Sequence, residues 1–184
     1  MDPNDMKPAP RRLRVVQEFV NTRSNLREVD VLEDVEGTTR WLIAHKLLPD
    51  GVETSGAERR RLVSFREGLR SLLATRGAAE ESSTFGELDE LAGDALLRVR
   101  FAPSGEPRLL PAEEKGVEGA MSIMLAAIAH SAVEGTWKRL KACRNEKCRW
   151  IFYDGSKNRS GSWCDMQTCG ARHKMRVYRE RKSG

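Results

Sequence analysis

The chain has 184 residues, enough for one domain of ordinary size plus a small module, or for a single larger domain. Apolar residues make up 39% and charged residues 32%, which is normal for a soluble globular protein. The opening MDPNDMKPAPRR lacks the apolar region of a secretory signal, and the apolar stretch from Met121 to Val133 is too short to span a bilayer, so we expect a cytoplasmic protein with no membrane partner.

The net charge of +5 is unevenly distributed along the chain. Residues 138–184 contain 14 basic and four acidic side chains, whereas the first 137 residues contain 18 basic and 23 acidic ones. All four cysteines lie in the basic part. This asymmetry predicts a domain over residues 11–137 and a small basic module over residues 138–184, with the break near Trp137. Residues 1–10 contain three prolines and no periodicity, and we expect them to form a flexible arm.

Apolar periodicity predicts the first two helices of the N-terminal domain. Residues 13–20 place apolar side chains on one face of a helix, although a strand through Val15 and Val16 is an alternative. A second, short helix around Trp41 ends at the Pro-Asp-Gly turn of residues 49–51.

A cap, a turn and an apolar stripe predict the remaining N-terminal elements. Ser55, with Glu58 three residues later, has the form of a capping box and predicts the start of a long helix. Two short runs on either side of residues 102–105 predict a β-hairpin. A wide apolar stripe over residues 115–134 predicts the central buried helix of this domain.

The cysteines form two pairs, each with four intervening residues: Cys143 with Cys148, and Cys164 with Cys169. A thioredoxin-type pair has two intervening residues, and disulfides are rare in a cytosolic protein. Two close pairs joined by a short loop suit a tetrahedral site for one Zn²⁺ per chain. Four thiolates leave no open position for catalysis, so the zinc is predicted to be structural and to stabilise a module too small for a robust core.

The residues between and after the cysteine pairs predict the shape of the module. Residues 150–154 predict a short strand and residues 155–162 a turn-rich segment, so that a hairpin separates the pairs. The chain then becomes helical, with Ala171, Met175 and Tyr178 on one face that we expect to dock on the module. The predicted fold class is α+β: a mainly helical N-terminal domain with a β-hairpin, followed by a treble-clef-like four-cysteine zinc finger.

This C-terminal module, hereafter the finger, resembles the CGNR zinc finger. Besides the cysteine pairs, the resemblance is carried by Phe152, Asp154, Ser156, Asn158 with Arg159, Trp163 to Met166, and Cys169 to Arg172. Ala171 stands where the family motif has Asn. Upstream, EFVNTR, VDVLED and RWLIAHKLLP are similar to the ABATE domain that commonly precedes such fingers. The resemblance covers nearly the whole chain and implies a stress-induced bacterial transcription regulator with a DNA-binding finger.

Basic residues of the finger predict a nucleic-acid surface, with DNA favoured over RNA. Arginine suits phosphates and guanine edges because its planar fork donates two parallel hydrogen bonds. The turn between the first two cysteines contributes Arg144 and Lys147. The charge of a four-thiolate zinc site and the dipole of the last helix account for two or three cations only. The residues predicted to bind nucleic acid are Arg149, Lys157, Asn158, Arg159, Arg172, Lys174, Arg176 and Arg179.

Two other functions are open at this point. Aromatic residues of the finger could stack on unpaired bases, as in an RNA-binding protein, although aromatic residues in so small a fold more often form its core. The basic finger could also act as an adaptor that binds an acidic protein. The sequence has no Gly-rich phosphate loop, nucleophile elbow or His-Glu metal motif, so we expect no enzyme activity.

A regulatory pocket for a small anionic ligand is predicted in the N-terminal domain. Asn21, Thr22 and Arg23 place an amide, a hydroxyl and a guanidinium at the end of an apolar helix, where such groups can fix a polar ligand. Trp41 is expected to supply an apolar wall, and His45 also to bound the pocket. In the alternative, these side chains cap the helix and fill the core. The domain would then serve to form a homodimer.

Overall fold

The computed structural model of the protein describes residues 7–10, 12–76, 82–93, 95–112 and 116–183. Within them the chain forms six α-helices and three two-stranded antiparallel sheets. The helices are α1 (Leu13–Val20), α2 (Val35–Ala44), α3 (Gly56–Thr75), α4 (Ser82–Ala92), α5 (Gly116–Val133) and α6 (Ala171–Ser183). The sheets pair β1 (Arg23–Ser24) with β2 (Val29–Asp30), β3 (Leu97–Phe101) with β4 (Pro107–Pro111), and β5 (Leu140–Ala142) with β6 (Ile151–Tyr153).

α1 and α3 begin and pack as their sequence patterns predict, whereas α2 ends at Ala44, before the predicted turn of residues 49–51. α1 buries Leu13, Val16 and Phe19 on one face, so the strand alternative is wrong. At the start of α3, the Ser55 hydroxyl accepts a hydrogen bond from the Glu58 N–H at 3.2 Å, and the Glu58 carboxylate accepts one from the Ser55 N–H at 2.6 Å. This reciprocal pair confirms the capping box.

The predicted hairpin and the predicted central helix lie together. β3 and β4 pair with Leu97 opposite Pro111 and Phe101 opposite Pro107. α5 packs on β4 and α1. α5 is longer than the apolar stretch from Met121 to Val133, and by length and composition it could cross a membrane. Half of α5 is buried inside the fold. It forms the core helix that the apolar stripe predicts.

One hydrophobic core joins the N-terminal helices to the finger. Leu140 on β5 and Ile151 on β6 are fully buried in the same cluster as Phe19 and Phe65. The β5–β6 hairpin packs against α3, and β6 also contacts α1. The core therefore continues across the boundary predicted near Trp137.

Buried polar side chains of α3 and the end of α1 bind the backbone of the finger. Asn21 donates to the Ile151 carbonyl at 2.8 Å and accepts from the Ile151 N–H at 2.9 Å. Gln17 donates to the same carbonyl at 3.1 Å, and Arg70 donates to the Arg149 carbonyl at 3.3 Å. These bonds fix the position of β6 relative to the N-terminal helices.

The described part of the predicted arm, residues 7–10, bridges α1 and the finger. The Lys7 carbonyl accepts from the Tyr153 N–H at 2.9 Å, and the Lys7 ammonium donates to the Trp163 carbonyl at 2.8 Å. The Ala9 N–H donates to the Gln17 side chain at 2.6 Å. Residues 1–6 of the predicted arm lie outside the described residues.

Candidate metal centre and nucleic-acid surface

The four predicted zinc ligands come together in one buried cluster. The Sγ atoms of Cys143, Cys148, Cys164 and Cys169 all lie within 4.8 Å of one another. The Cys148–Cys164 and Cys164–Cys169 separations are 3.8 and 3.9 Å. Sulfur atoms about 2.3 Å from a central zinc lie about 3.8 Å apart in a tetrahedron, whereas a disulfide brings them to about 2.05 Å. The cluster consists of free thiols and fits one structural zinc ion.

The first pair lies in the loop of the β5–β6 hairpin, a turn over residues 143–149 that we call the knuckle. The Cys143 N–H donates to the Trp150 carbonyl at 2.8 Å and so extends the hairpin ladder. The Asn145 carbonyl accepts from the N–H groups of Cys148 and Arg149 at 2.8 and 3.0 Å. Arg149 closes the turn in the left-handed backbone region, with φ of 51°.

The second pair is positioned by a short π-helical turn that leads into α6. Cys164 precedes this turn, residues Met166–Gly170, and Cys169 lies within it. The Asp165 carboxylate accepts from the Thr168 N–H at 2.7 Å and caps the turn. Cys169 therefore lies in the turn that opens the C-terminal helix, as predicted, whereas Cys164 lies just before that turn.

The hairpin between the cysteine pairs differs from the prediction in its pairing. β6 occupies part of the predicted strand, but its partner is β5, which precedes the first cysteine pair. Residues 155–162 form turns and loop and contain no strand. Glycine, serine and asparagine in this segment favour turns, and the apolar side chains that would continue a ladder lie upstream in β5.

Hydrogen bonds within the cluster favour a thiolate at one cysteine and oppose it at another. The thiols of Cys148 and Cys164, with the N–H groups of Cys164 and Asn145, lower the pKa of Cys143 to about 2. Donation to Cys143 raises the pKa of Cys148 to about 12. Four thiolates at these separations therefore need a cation, and a bound Zn²⁺ supplies it. The Asn145 amide, 3.5 Å from the Cys169 sulfur, orients that ligand.

Asp154 organises the loop that carries three predicted nucleic-acid residues, 157–159. Its buried carboxylate accepts from the Lys141 ammonium at 2.7 Å, the Ser156 hydroxyl at 2.7 Å and the Gly161 N–H at 2.8 Å. Burial alone would raise the pKa of Asp154, but these bonds hold it well below its usual range. A Cβ atom at Gly161 would lie 2.8 Å from the carboxylate, so a side chain there would displace the loop. Residues 157–159 are exposed.

The prediction that the apolar face of α6 docks on the finger is wrong. Met175 and Tyr178 are 53% and 56% exposed. The half-buried residues of α6 are Ala171, His173 and Val177, and the last two lie on another side of the helix. The His173 ring lies 4.8 Å from the Trp163 ring of the finger. This contact turns the His173 side of α6 inward and leaves Met175 and Tyr178 in solvent.

Basic residues of the knuckle and α6 line a common cavity of about 370 Å³. Arg144 and Lys147 contribute from the knuckle, and Arg172 and Arg176 contribute from α6. One carboxylate, Glu146, also lines it. We call the cavity lined by Arg144, Lys147, Arg172 and Arg176 the basic cleft. Its geometry suits an anion such as a phosphate group, because several donors converge on one space.

The other residues predicted to bind nucleic acid do not line the basic cleft. Lys174 and Arg179 are exposed on α6, and residues 157–159 are exposed on their loop. Arg149 is half-buried, and its carbonyl is bound by Arg70. Of the residues predicted to bind nucleic acid, Arg172 and Arg176 are the two that share the cleft.

The polar residues of the predicted ligand pocket serve structural contacts. Asn21 is bound to Ile151, as described above. The Thr22 hydroxyl donates to a carbonyl of α1 at 2.7 Å and accepts from buried Arg66 at 3.1 Å. Arg23 is exposed on β1. The Asn21 amide and the Thr22 hydroxyl therefore form hydrogen bonds within the protein, to backbone groups and to the Arg66 guanidinium, and are not free to bind a ligand.

Trp41 and His45 also have protein partners. Their rings stack with centroids 3.9 Å apart, and the His45 ring contacts the Trp41 carbonyl at 2.8 Å. On the other side, Trp41 lies 5.7 Å from the Phe19 ring, and His45 lies 3.4 Å from the Glu18 carboxylate. These contacts pack α2 onto α1. The five residues therefore do not support the predicted anionic-ligand pocket.

Three structural roles escaped the sequence interpretation. Asn21 binds a strand that lies 130 positions away in the sequence. Asp154 accepts hydrogen bonds that hold the loop of residues 155–162 in place. The contact of His173 with Trp163 determines which side of α6 packs on the finger. Asn21 belongs to the stretch that resembles the ABATE domain, and Asp154 belongs to the CGNR motif. No local sequence pattern indicates the partners of either residue.

Two family models match the chain. The ABATE family, described as "Putative stress-induced transcription regulator", matches residues 13–135, and the CGNR zinc finger matches residues 139–182. No curated protein matches the chain. The ABATE match spans well over half of the sequence, and the four clustered cysteines lie within the finger match. The chain belongs to the ABATE family and carries a C-terminal CGNR zinc finger.

Proposed function

We propose that this protein is a zinc-dependent, DNA-binding transcription regulator without enzyme activity that acts in the cytoplasm. The basic cleft is the observation that carries the proposal: Arg144 and Lys147 face the same cavity as Arg172 and Arg176. The closed zinc site holds the knuckle and the start of α6 together, and so brings these cations to one place. Its own role is structural.

The charge of the finger exceeds what its internal contacts neutralise. Residues 138–184 carry 14 basic and four acidic side chains. A zinc ion with four thiolates offsets about two of these positive charges. Among the described residues, Lys141 pairs with Asp154, and Arg176 lies 4.0 Å from Glu180. The remaining surplus favours a polyanion, because neutralising phosphates releases condensed counterions.

Four of the five aromatic residues of the finger are buried or packed, which favours duplex DNA over single-stranded RNA; the fifth, Tyr178 on α6, is exposed. Trp150 and Phe152 are buried with the cysteines in the core of the finger. Tyr153 packs against the N-terminal core, and Trp163 lies beside His173. Stacking on unpaired bases requires exposed aromatic faces. Aromatic side chains occupied in this way are poorly placed to stack on unpaired bases.

The test uses the full chain, because the finger shares its core with the N-terminal helices. Binding to a random-sequence duplex would be followed by fluorescence anisotropy over a salt series. Replacing Arg144, Arg172 and Arg176 with Ala should weaken binding and reduce the salt slope by about 0.9 for each phosphate that the variant no longer neutralises. The matched control replaces three exposed arginines of the β3–β4 hairpin with Ala: Arg98, Arg100 and Arg108.

The control removes the same charge from another surface. The hairpin variant should keep most of the salt slope of DNA binding, whereas the cleft variant should show a smaller slope. Retained zinc would show that the cleft variant is folded at the finger. Equal slopes for the wild type and the cleft variant would contradict the proposal. Tight binding of an acidic protein without any binding of DNA would favour the adaptor function instead.

We propose that the N-terminal domain regulates by positioning the finger, through the contacts of Asn21 and Arg70. Formation of a homodimer is a second candidate role for this domain. The observation that favours it is an exposed apolar strip on β3, where Val99 is 58% and Phe101 is 74% exposed. Sedimentation of the full chain and of a Phe101→Ser variant would test it, since a dimer formed through this strip should dissociate in the variant.

A further inference from the structure

Five of the six lysine and arginine side chains of α6 form two separate ridges. At about 100° per residue, Arg172, Arg176 and Arg179 fall along one side of the helix. Lys174 and Arg181 fall along the opposite side. All five are exposed. A helix that only closed a zinc finger would need neither ridge.

The two strips between these ridges differ in burial. His173 and Val177 form the back strip, which is half-buried against the finger. Met175 and Tyr178 form the front strip, which faces solvent. The front of α6 therefore exposes Met175 and Tyr178 with cations on both sides. At its C-terminal end lies Lys182, whose ammonium is 5.5 Å from the centre of the Tyr178 ring.

We infer that α6 enters the major groove of duplex DNA with its front strip toward the base edges. This inference rests on the proposed function. A helix with its side chains is about 10–12 Å across, and α6, with 13 residues, is about 20 Å long. The major groove of B-form DNA is about 12 Å wide and admits such a helix. The two ridges then face the phosphates of the two groove walls.

The surroundings of the front strip suit base edges. Gln167 and Thr168, exposed in the turn before α6, line a cavity of about 600 Å³ with Met175. Apolar groups contact the thymine methyl in the major groove, and glutamine can pair with adenine there. The residues near the start of a recognition helix commonly make such contacts. The basic cleft, at the side of the first ridge, holds a phosphate of one wall.

The first test changes the groove and keeps the phosphates. The zinc-loaded full chain would be titrated with two duplexes of one sequence, one of which carries a glucosylated 5-hydroxymethyl group on every cytosine. The sugar fills the major groove without changing the backbone charge. Insertion of α6 predicts binding weaker by about tenfold or more on the modified duplex. Double-stranded RNA of the same sequence should also bind weakly, because its major groove is too narrow.

The second test changes the front strip and keeps the cations. A Met175→Ala/Tyr178→Ala variant favours the helix, since alanine has the highest helix propensity. Its affinity should fall by about tenfold at an unchanged salt slope, because the variant keeps the cations that face phosphates and lacks the side chains that face base edges. A Val52→Ala/Val133→Ala variant removes two exposed apolar side chains elsewhere and should bind DNA as the wild type does.

The outcomes separate the inference from the proposed function. Equal binding to plain and glucosylated duplexes, with a steep salt slope, would overturn groove insertion and leave DNA binding intact. A front-strip variant with wild-type affinity would also overturn it. Failure to bind any duplex, with zinc retained, would overturn the proposed function itself.

Discussion

The side-chain amide of Asn21 pairs with both backbone hydrogen-bonding groups of Ile151, at 2.8 and 2.9 Å. Asn21 follows α1 directly, and its amide forms the two hydrogen bonds with β6 that the backbone of a neighbouring strand would otherwise form. Both partners are buried, so water cannot replace these bonds. The position of the finger strand therefore depends on the N-terminal domain.

Replacing Asn21 with Ala should lower the free energy of unfolding by about 1–3 kcal/mol. The Ile151 carbonyl would keep its bond from Gln17, but the buried Ile151 N–H would be left without its acceptor. Urea denaturation of the full chain measures the change. The control is Asn158→Ala on the exposed loop, which should change stability by less than about 0.5 kcal/mol. If the two variants were equally stable, the Asn21 pairing would have no energetic role.

Metal removal should destabilise the N-terminal helices as well as the finger. Leu140 and Ile151 belong to the common core, so unfolding of the finger would expose part of that core. Protein purified without chelator should contain one zinc per chain, and Cys164→Ser should lose it because a zinc site of this kind is coupled to folding. Calorimetry should then show a lower melting temperature for the whole chain. A helical melting transition unaffected by zinc loss, or protein without zinc, would contradict this account.

Asp154→Asn should reduce stability at neutral pH by about 2 kcal/mol. The pKa of Asp154 in the folded protein lies below its value in the unfolded chain, because Lys141 and Ser156 bind the carboxylate despite its burial. Its stabilisation is therefore present above pH of about 4 and is lost as pH falls toward the folded pKa. The difference in unfolding free energy between wild type and variant should shrink below pH 4.

The readout of this experiment is the difference between two proteins, since zinc release in acid affects both. Glu180→Gln serves as the control, because the Glu180 side chain is exposed and lies 4.0 Å from Arg176. That variant should match the wild type at each pH. A gap between wild type and Asp154→Asn that stayed constant from pH 7 to pH 3 would show that the carboxylate charge is not the source of the effect.

Local sequence patterns were sufficient to predict most helices, the β3–β4 hairpin and the metal ligands. The capping box of Ser55 and Glu58 depends on spacing alone, because both partners lie in one helical turn. The cysteine spacing is equally local, since each pair occupies a single turn. Such features depend on residues that are close together in the sequence, and the sequence therefore indicates them directly.

Features that depend on distant contacts could not be predicted in this way. Met175 and Tyr178 have helical spacing, and that spacing indicates a common face without indicating what covers it. The docked side of α6 is instead set by the contact of His173 with Trp163. Similarly, Asn21 has the chemistry of a ligand anchor, but its partner is a strand that the fold brings to it from the finger.

The most direct test of the central claim is to locate the DNA-binding surface on the zinc-loaded full chain by NMR. The backbone amide signals of ¹⁵N-labelled protein would be followed during titration with a short random-sequence duplex at low salt. The account predicts the largest shifts at the knuckle around Arg144 and along α6 from Arg172 to Arg179, with small shifts in α3 and α5. Shifts confined to the N-terminal helices or to the β3–β4 hairpin, with the finger signals unchanged, would contradict it.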